Sequence, residues 1–115
     1  MNFELKTRLF NFSDALMYLK NGFLVERVEW TGRMFLFLVP ESEFAINRKP
    51  LMGIYTEGTR IKYRGHIDIK TVSGDIAVWS CPQIDLLAED WKLCDFQPLV
   101  NSVLDSDGSP KLRHR

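Results

Sequence analysis

The chain has 115 residues, 45% of them hydrophobic and 12% aromatic, and its 15 basic and 15 acidic side chains cancel. That length fits one small domain with a real core and excludes a chain disordered throughout. Zero formal charge excludes a general nucleic-acid coat, and the two cysteines, Cys81 and Cys94, make neither a zinc spacing nor a disulfide framework.

The start, MNFELK, carries charge early and has no apolar signal core. The longest apolar run, Met34 to Val39, is far too short to span a membrane, so a soluble intracellular protein is expected. Residues 1–10 alternate loosely, as an added edge strand would. "NFSDALMYLKNG" reads as a short helix. Ser13 is its expected N-cap, Asp14 sits favourably at the positive dipole end, and Phe12 and Met17 occupy staple positions. Asn21-Gly22 is the stop signal. "FLVERVEW" reads as a strand turned by "TGR", and "MFLFLVP" is apolar at every position, which predicts a central strand covered on both faces and ended by Pro40.

Residues 41–60, with Pro50, Gly53 and Gly58, read as an irregular loop long enough to carry function. "RIKYRGHIDIKTV" reads as one or two strands, with Ile67 and Ile69 on one side and His66, Asp68 and Lys70 on the other. "SGD" is a hairpin turn before the strand "IAVWS". Ser80 and Gln83 have capping-box spacing for a second helix that sets Ile84, Leu87, Ala88 and Trp91 on one face. "WKLCDF" is a last short strand. Residues 97–115 have the composition of a disordered tail. The sum is α+β: a mostly antiparallel sheet of about five strands with two short helices, in one domain spanning 11–96.

The residues that carry chemistry are few. His66 and Asp68 point the same way on a strand and can share a metal or a proton, but no third ligand of the same kind is in sight, which favours a hydrogen-bonding role. Asp85, Glu89 and Asp90 lie on or beside the second helix. Such carboxylates suit hydrolysis, capture of ribose hydroxyls, or a plain wet helix face. Trp30 and Trp79 end strands where pocket rims form, while Trp91 sits at a core position. Between Asn47 and His66 there are five basic residues, Arg48, Lys49, Arg60, Lys62 and Arg64, against Glu57. That stretch suits phosphate, or a solvated face. No glycine-rich phosphate loop and no nucleophile elbow is present.

The words "FSDALMYLKNG", "EWTG", "MFLFLVPESEF", "NRKPL", "YRGHIDIKT" and "IDLLAEDW", in this order from about Asn11 to Leu93, resemble a phage protein family, the Thoeris anti-defence two family. The resemblance implies a molecular sponge rather than an enzyme. Such a protein binds a cyclic nucleotide immune signal, a glycocyclic ADP-ribose isomer, and withholds it from the effector without destroying it. Some members also hold cyclic oligonucleotides of CBASS type. The resemblance further implies action in the cytoplasm of the infected host, no cofactor or metal, no DNA or RNA polymer, and a homo-oligomer, dimer or tetramer, with pockets between subunits. Carried over to matching positions, it marks Trp30, Asn47, Arg48, His66, Asp68, Trp79, Gln83, Asp85 and Asp90 as ligand-binding. Trp30 and Trp79 would stack the base, Arg48 would meet phosphate, and Asp85 and Asp90 would meet sugar or base donors. Gly65 and Val78 stand where the family commonly has proline, and Gly65 is expected to loosen the approach to His66. The rival readings are a nucleotide-cleaving enzyme using Asp85, Glu89 or Asp90, and a protein-binding inhibitor of a host factor.

Overall fold

Asn11, not Ser13, caps the first helix. The computed structural model describes residues 8–98, so the expectations for residues 1–7 and for the tail past 98 lie outside the described residues. Helix α1 runs Phe12–Lys20, and the Asn11 side chain accepts the Asp14 N–H at 3.0 Å. Starting there turns Phe12, Ala15, Tyr18 and Leu19 inward and leaves Ser13 and Met17 exposed, so the Phe12–Met17 staple does not form. The helix stops at Asn21, and Gly22 follows at φ 91°, a left-handed conformation that costs glycine nothing.

Strand β1 is only Val25–Arg27. Val28–Trp30 then tightens into a 3₁₀ turn, and Thr31 and Gly32 both take positive φ. The buried Glu26 carboxylate ends the expected longer strand by accepting the Gly32 N–H at 2.6 Å. Strand β2 (Phe35–Val39) lies between β1 and β5 (His66–Lys70) in a five-stranded antiparallel sheet. The remaining members are β6 (Ile76–Val78) and β7 (Trp91–Leu93), and the order across the sheet is β6-β5-β2-β1-β7. Phe10 adds a short antiparallel bridge to Trp91.

Helix α1 packs on one face of this sheet, against β1, β2 and β7. There Leu36 is fully buried, and Leu38, Ile67 and Ile69 pack at the edge of the core. The expectation of two covered faces for β2 is corrected: Phe35, Phe37 and Val39, on the opposite face, are only partly buried. Among the described residues, the one helix long enough to shield the sheet lies on the other side.

Residues 41–60 are also more ordered than a loop. Strands β3 (Ser42–Ala45) and β4 (Arg60–Tyr63) pair as a two-stranded sheet. Their register continues that of β2 and β5: Val39 faces His66, and three residues on, Ser42 faces Tyr63. The two pairs are thus one long ribbon that leaves the sheet as an arm. The ladder lapses at Pro40, which has no N–H, and at Gly65. A Cβ on Gly65 would stand 3.1 Å from the Val39 carbonyl oxygen and 3.3 Å from the Glu41 nitrogen. Gly65 therefore permits a tight backbone approach here, rather than loosening one.

The hairpin β5–β6 turns through Gly74, with Thr71 N–H donating to the Asp75 carbonyl at 2.8 Å. Helix α2 is a single turn, Gln83–Leu86, with Pro82 at its N-cap and no side-chain cap, so the Ser80–Gln83 box is not made. Ile84 and Leu87 are each 74% exposed, and Trp91 belongs to β7. The expected apolar helix face is absent because the helix ends before a second turn exists. The result is an α+β domain with its core between α1 and one sheet face.

Candidate functional site

The nine residues marked by sequence fall into separate groups. Trp30 and Trp79 converge on Trp91 from two sides, with ring centroids 5.4 and 6.1 Å away, both edge-on. Trp30 is only 7% exposed and Trp79 is partly buried against the same core. Both rings take part in aromatic packing on the core, Trp79 with part of its surface left open, a role that single-residue chemistry on strand ends does not reveal.

Asp85 and Asp90 converge on Arg27. Arg27 Nη1 donates to Asp85 Oδ1 at 2.5 Å, Nε donates to Asp90 Oδ1, and Nη2 reaches Asp90 Oδ2 at 3.3 Å. Hydrogen bonding to Asp90 raises the guanidinium pKa above its ordinary value, against the opposing effect of burial, and Asp85 adds to the rise. This fork-on-carboxylate pairing satisfies a cation that β1 carries inward beside Val25. Sequence reading passed over Arg27, although an arginine in strict alternation with a core valine signals a buried cation that needs acids. Glu89 does not share a helix face with Asp85, since α2 ends at Leu86.

His66 and Asp68 do lie side by side on β5. His66 Nε2 is 3.3 Å from Asp68 Oδ1, and Nδ1 is 3.2 Å from the Arg64 carbonyl. Donation from Nδ1–H to that carbonyl leaves Nε2 without its proton in the neutral ring. Asp68 Oδ1 is buried and makes no hydrogen bond, for its approach to His66 has ion-pair distance but not hydrogen-bond geometry. Gln83 stands exposed at the start of α2. Among the described residues, no three His, Cys, Asp or Glu side chains come together to hold a metal.

Asn47 and Arg48 belong to the arm. They line a cavity of about 470 Å³ together with Phe44, Ala45, Ile46, Leu51 and Tyr63. Phe44 and Tyr63 meet edge-on at 5.3 Å, and both are exposed. The basic stretch is partly neutralised across the ribbon, where Arg60 pairs with Glu43 at 2.8 Å and Lys62 lies 3.5 Å from Glu41. The Arg48 guanidinium has no acid partner among the described residues. The aromatic pair was missed because residues 41–46 were read as loop. The alternation of Ser42, Phe44 and Ile46 with Glu41, Glu43 and Ala45 was the signal. A smaller cavity of about 290 Å³ lies by Glu26, Val28, Thr31, Gly32, Lys92, Asp95 and Phe96. Lys92 occupies its charged side, 3.5 Å from both Glu26 and Asp95.

The thiols differ in use. Cys81 is exposed, and Cys94 is buried. Burial first, and then the charge of Glu26, pushes the Cys94 thiol from 9.0 up to about 12. A thiol reagent at pH 8 should therefore titrate Cys81 in the native protein and Cys94 only on unfolding. Because the folded state raises this pKa, the stabilisation it contributes is complete below the unfolded value. It is lost as pH rises from about 9 toward 12. Two rapidly reacting native thiols would contradict this.

A family model described as the Thoeris anti-defense 2-like domain matches residues 10–94. The chain is 37% identical over 90 residues to "Thoeris anti-defense 2" of Bacillus phage SP01, a match that covers 77% of this chain and 98% of that protein. The matched residues include α1, the whole sheet, the arm and α2. The chain therefore belongs to the Thoeris anti-defence 2 family and has a phage anti-defence role.

Proposed function

We propose that the protein captures, without cleaving, a cyclic nucleotide immune signal in the cytoplasm of the infected host. The signal is a glycocyclic ADP-ribose isomer of Thoeris type, with cyclic oligonucleotides of CBASS type as further ligands. The protein works as a homo-oligomer with pockets between subunits. One observation carries this reading within the family: the arm cavity sets an arginine without an acid partner among the described residues, and an asparagine, beside two exposed aromatic rings. Arg48 is suited to a diphosphate, Asn47 to a base or ribose edge, and Phe44 and Tyr63 to a base face. A sponge needs such preorganised contacts and no nucleophile. Two of the three acids that a cleaving enzyme would use, Asp85 and Asp90, are held by Arg27, and no carboxylate or histidine lines the cavity among the described residues.

The test is capture and release. The protein is mixed with a panel of cyclic ADP-ribose isomers and cyclic di- and trinucleotides, filtered, and then heat-denatured. Stoichiometric return of intact ligand is expected. Arg48→Ala should retain its melting temperature and lose about tenfold or more in affinity, since one charge-assisted hydrogen bond is worth roughly 1.5–3 kcal/mol. A cleaved product would make the protein an enzyme, and no capture of any nucleotide would favour a protein partner.

A further inference from the structure

The sheet has a second face that the described residues cover only at its β1–β7 end, where Glu26 and Lys92 are shielded. It carries Ile76 and Val78 from β6, His66, Asp68 and Lys70 from β5, and Phe35, Phe37 and Val39 from β2. Cross-strand pairing fixes this set: Phe37 faces Asp68, Phe35 faces Lys70, and Asp68 faces Val78. Val78 is 66% exposed and Ile76 more than half exposed. Phe96 extends the apolar patch by meeting Phe35 edge-on at 5.3 Å. Apolar side chains flanking a polar central strand in this way suit an interaction surface. The β2 sequence, apolar at every position, is also what a strand covered on both faces requires.

In the middle of the patch lies Asp68, whose side chain is 13% exposed and whose Oδ1 lacks a hydrogen-bond donor. A buried carboxylate oxygen without a donor is costly, and this oxygen suits a donor brought by a partner. Two residues along the same strand and on the same face, Lys70 has only the Arg33 carbonyl as partner among the described residues, at 3.1 Å. Among the described residues, the face thus holds an acid oxygen that lacks a donor and a cation that lacks an acid, symmetrically about Ile69.

We propose that this open face is the contact between two copies of the chain, related by a two-fold axis crossing β5 at Ile69. That axis sets Asp68 of each copy against Lys70 of the other. A face whose opposite charges flank an axis is complementary to itself, as a two-fold interface must be. Stacked sheets lie roughly 10 Å apart, a gap that a lysine and an aspartate reaching from opposite sides can bridge. The phenylalanines and valines around the pair supply the apolar burial. The proposal rests on the homo-oligomer reading above for its partner and adds where the subunits meet.

The experiment measures the mass of the full chain by sedimentation velocity over a range of concentrations. Wild type is expected as a dimer or a higher even oligomer. Val78→Glu, a change at an exposed position that leaves the core untouched, should halve the mass. Asp68→Lys and Lys70→Asp should each do the same, because each creates two like-charged contacts. An equimolar mixture of those two variants should regain the wild-type mass, since every opposed pair is again unlike. A monomeric wild type would overturn both this face and the homo-oligomer reading. An oligomer that Val78→Glu leaves intact would overturn this face alone, as would folded charge variants that fail to recover on mixing. Should Asp68→Lys not fold, the Val78→Glu result decides.

Discussion

Arg27→Met is expected to lower the unfolding free energy by about 3–5 kcal/mol, the usual cost of leaving one side of a buried ion pair without its partner. Arg27 and Asp85 are both buried, and no other cation reaches the Asp85 carboxylate among the described residues. The guanidinium also ties β1 to the segment 85–90, which places α2 and the start of β7. Urea melts of Arg27→Met measure the loss directly. The double variant Arg27→Met/Asp85→Leu should recover most of it, because an apolar pair of similar volume removes the buried orphaned charge and leaves only Asp90, 34% exposed, for water to solvate. Arg27→Lys should recover little, since a point ammonium cannot serve two carboxylates as a fork does. A loss below about 1 kcal/mol for Arg27→Met would mean the triad behaves as a solvated surface pair.

Trp91→Ala is the second large effect, with an expected cost of about 3–5 kcal/mol. Trp91 is fully buried, and Phe12, Trp30 and Trp79 all pack against its ring. Its indole N–H donates to the Asp85 carbonyl at 2.9 Å, so truncation leaves both a cavity and an unpaired acceptor. Trp91→Phe separates the two: it keeps much of the ring and loses the donor, and should cost about half as much. Trp79→Ala, at a partly buried site, should fall below Trp91→Ala. Thermal and urea melts on the three variants give the ranking. If Trp79→Ala proved the most destabilising, the centre of the core would lie elsewhere.

The sequence disclosed what depends on short-range pattern. Period-two alternation placed His66, Asp68 and Lys70 on one side of β5, and Ser73-Gly74 marked the β5–β6 turn. The α+β class followed from strands, turns and helix signals of that kind. Long-range pairing was not legible. Nothing local says that Arg27 will meet Asp85 and Asp90, which lie about sixty residues away along the chain. Nor does local chemistry say that Trp30 is spent on Trp91. Asn11 and Ser13 are both good caps, and which one wins depends on whether Phe12 is needed inside. The arm was lost in a proline- and glycine-bearing stretch because the register that makes it a strand pair is set by β2 and β5, not by its own residues. Asn47 and Arg48 were legible as ligand chemistry, while the rings that share their cavity were not.

The strand order has a consequence for how the chain comes to be folded. The ribbon from β2 to β5 and the β5–β6 turn are closed by neighbours in sequence and can zip early, whereas β1 waits for β7. Pairing Val25 with Leu93 closes almost the whole domain, so its entropy must be lost before the contact repays it. The last of the described strands to leave the ribosome is therefore the one that pairs with the outer edge of β1, seats Trp91 and brings Asp90 to Arg27. Until then the nascent chain shows an unfinished edge at β1 and a core without its central ring.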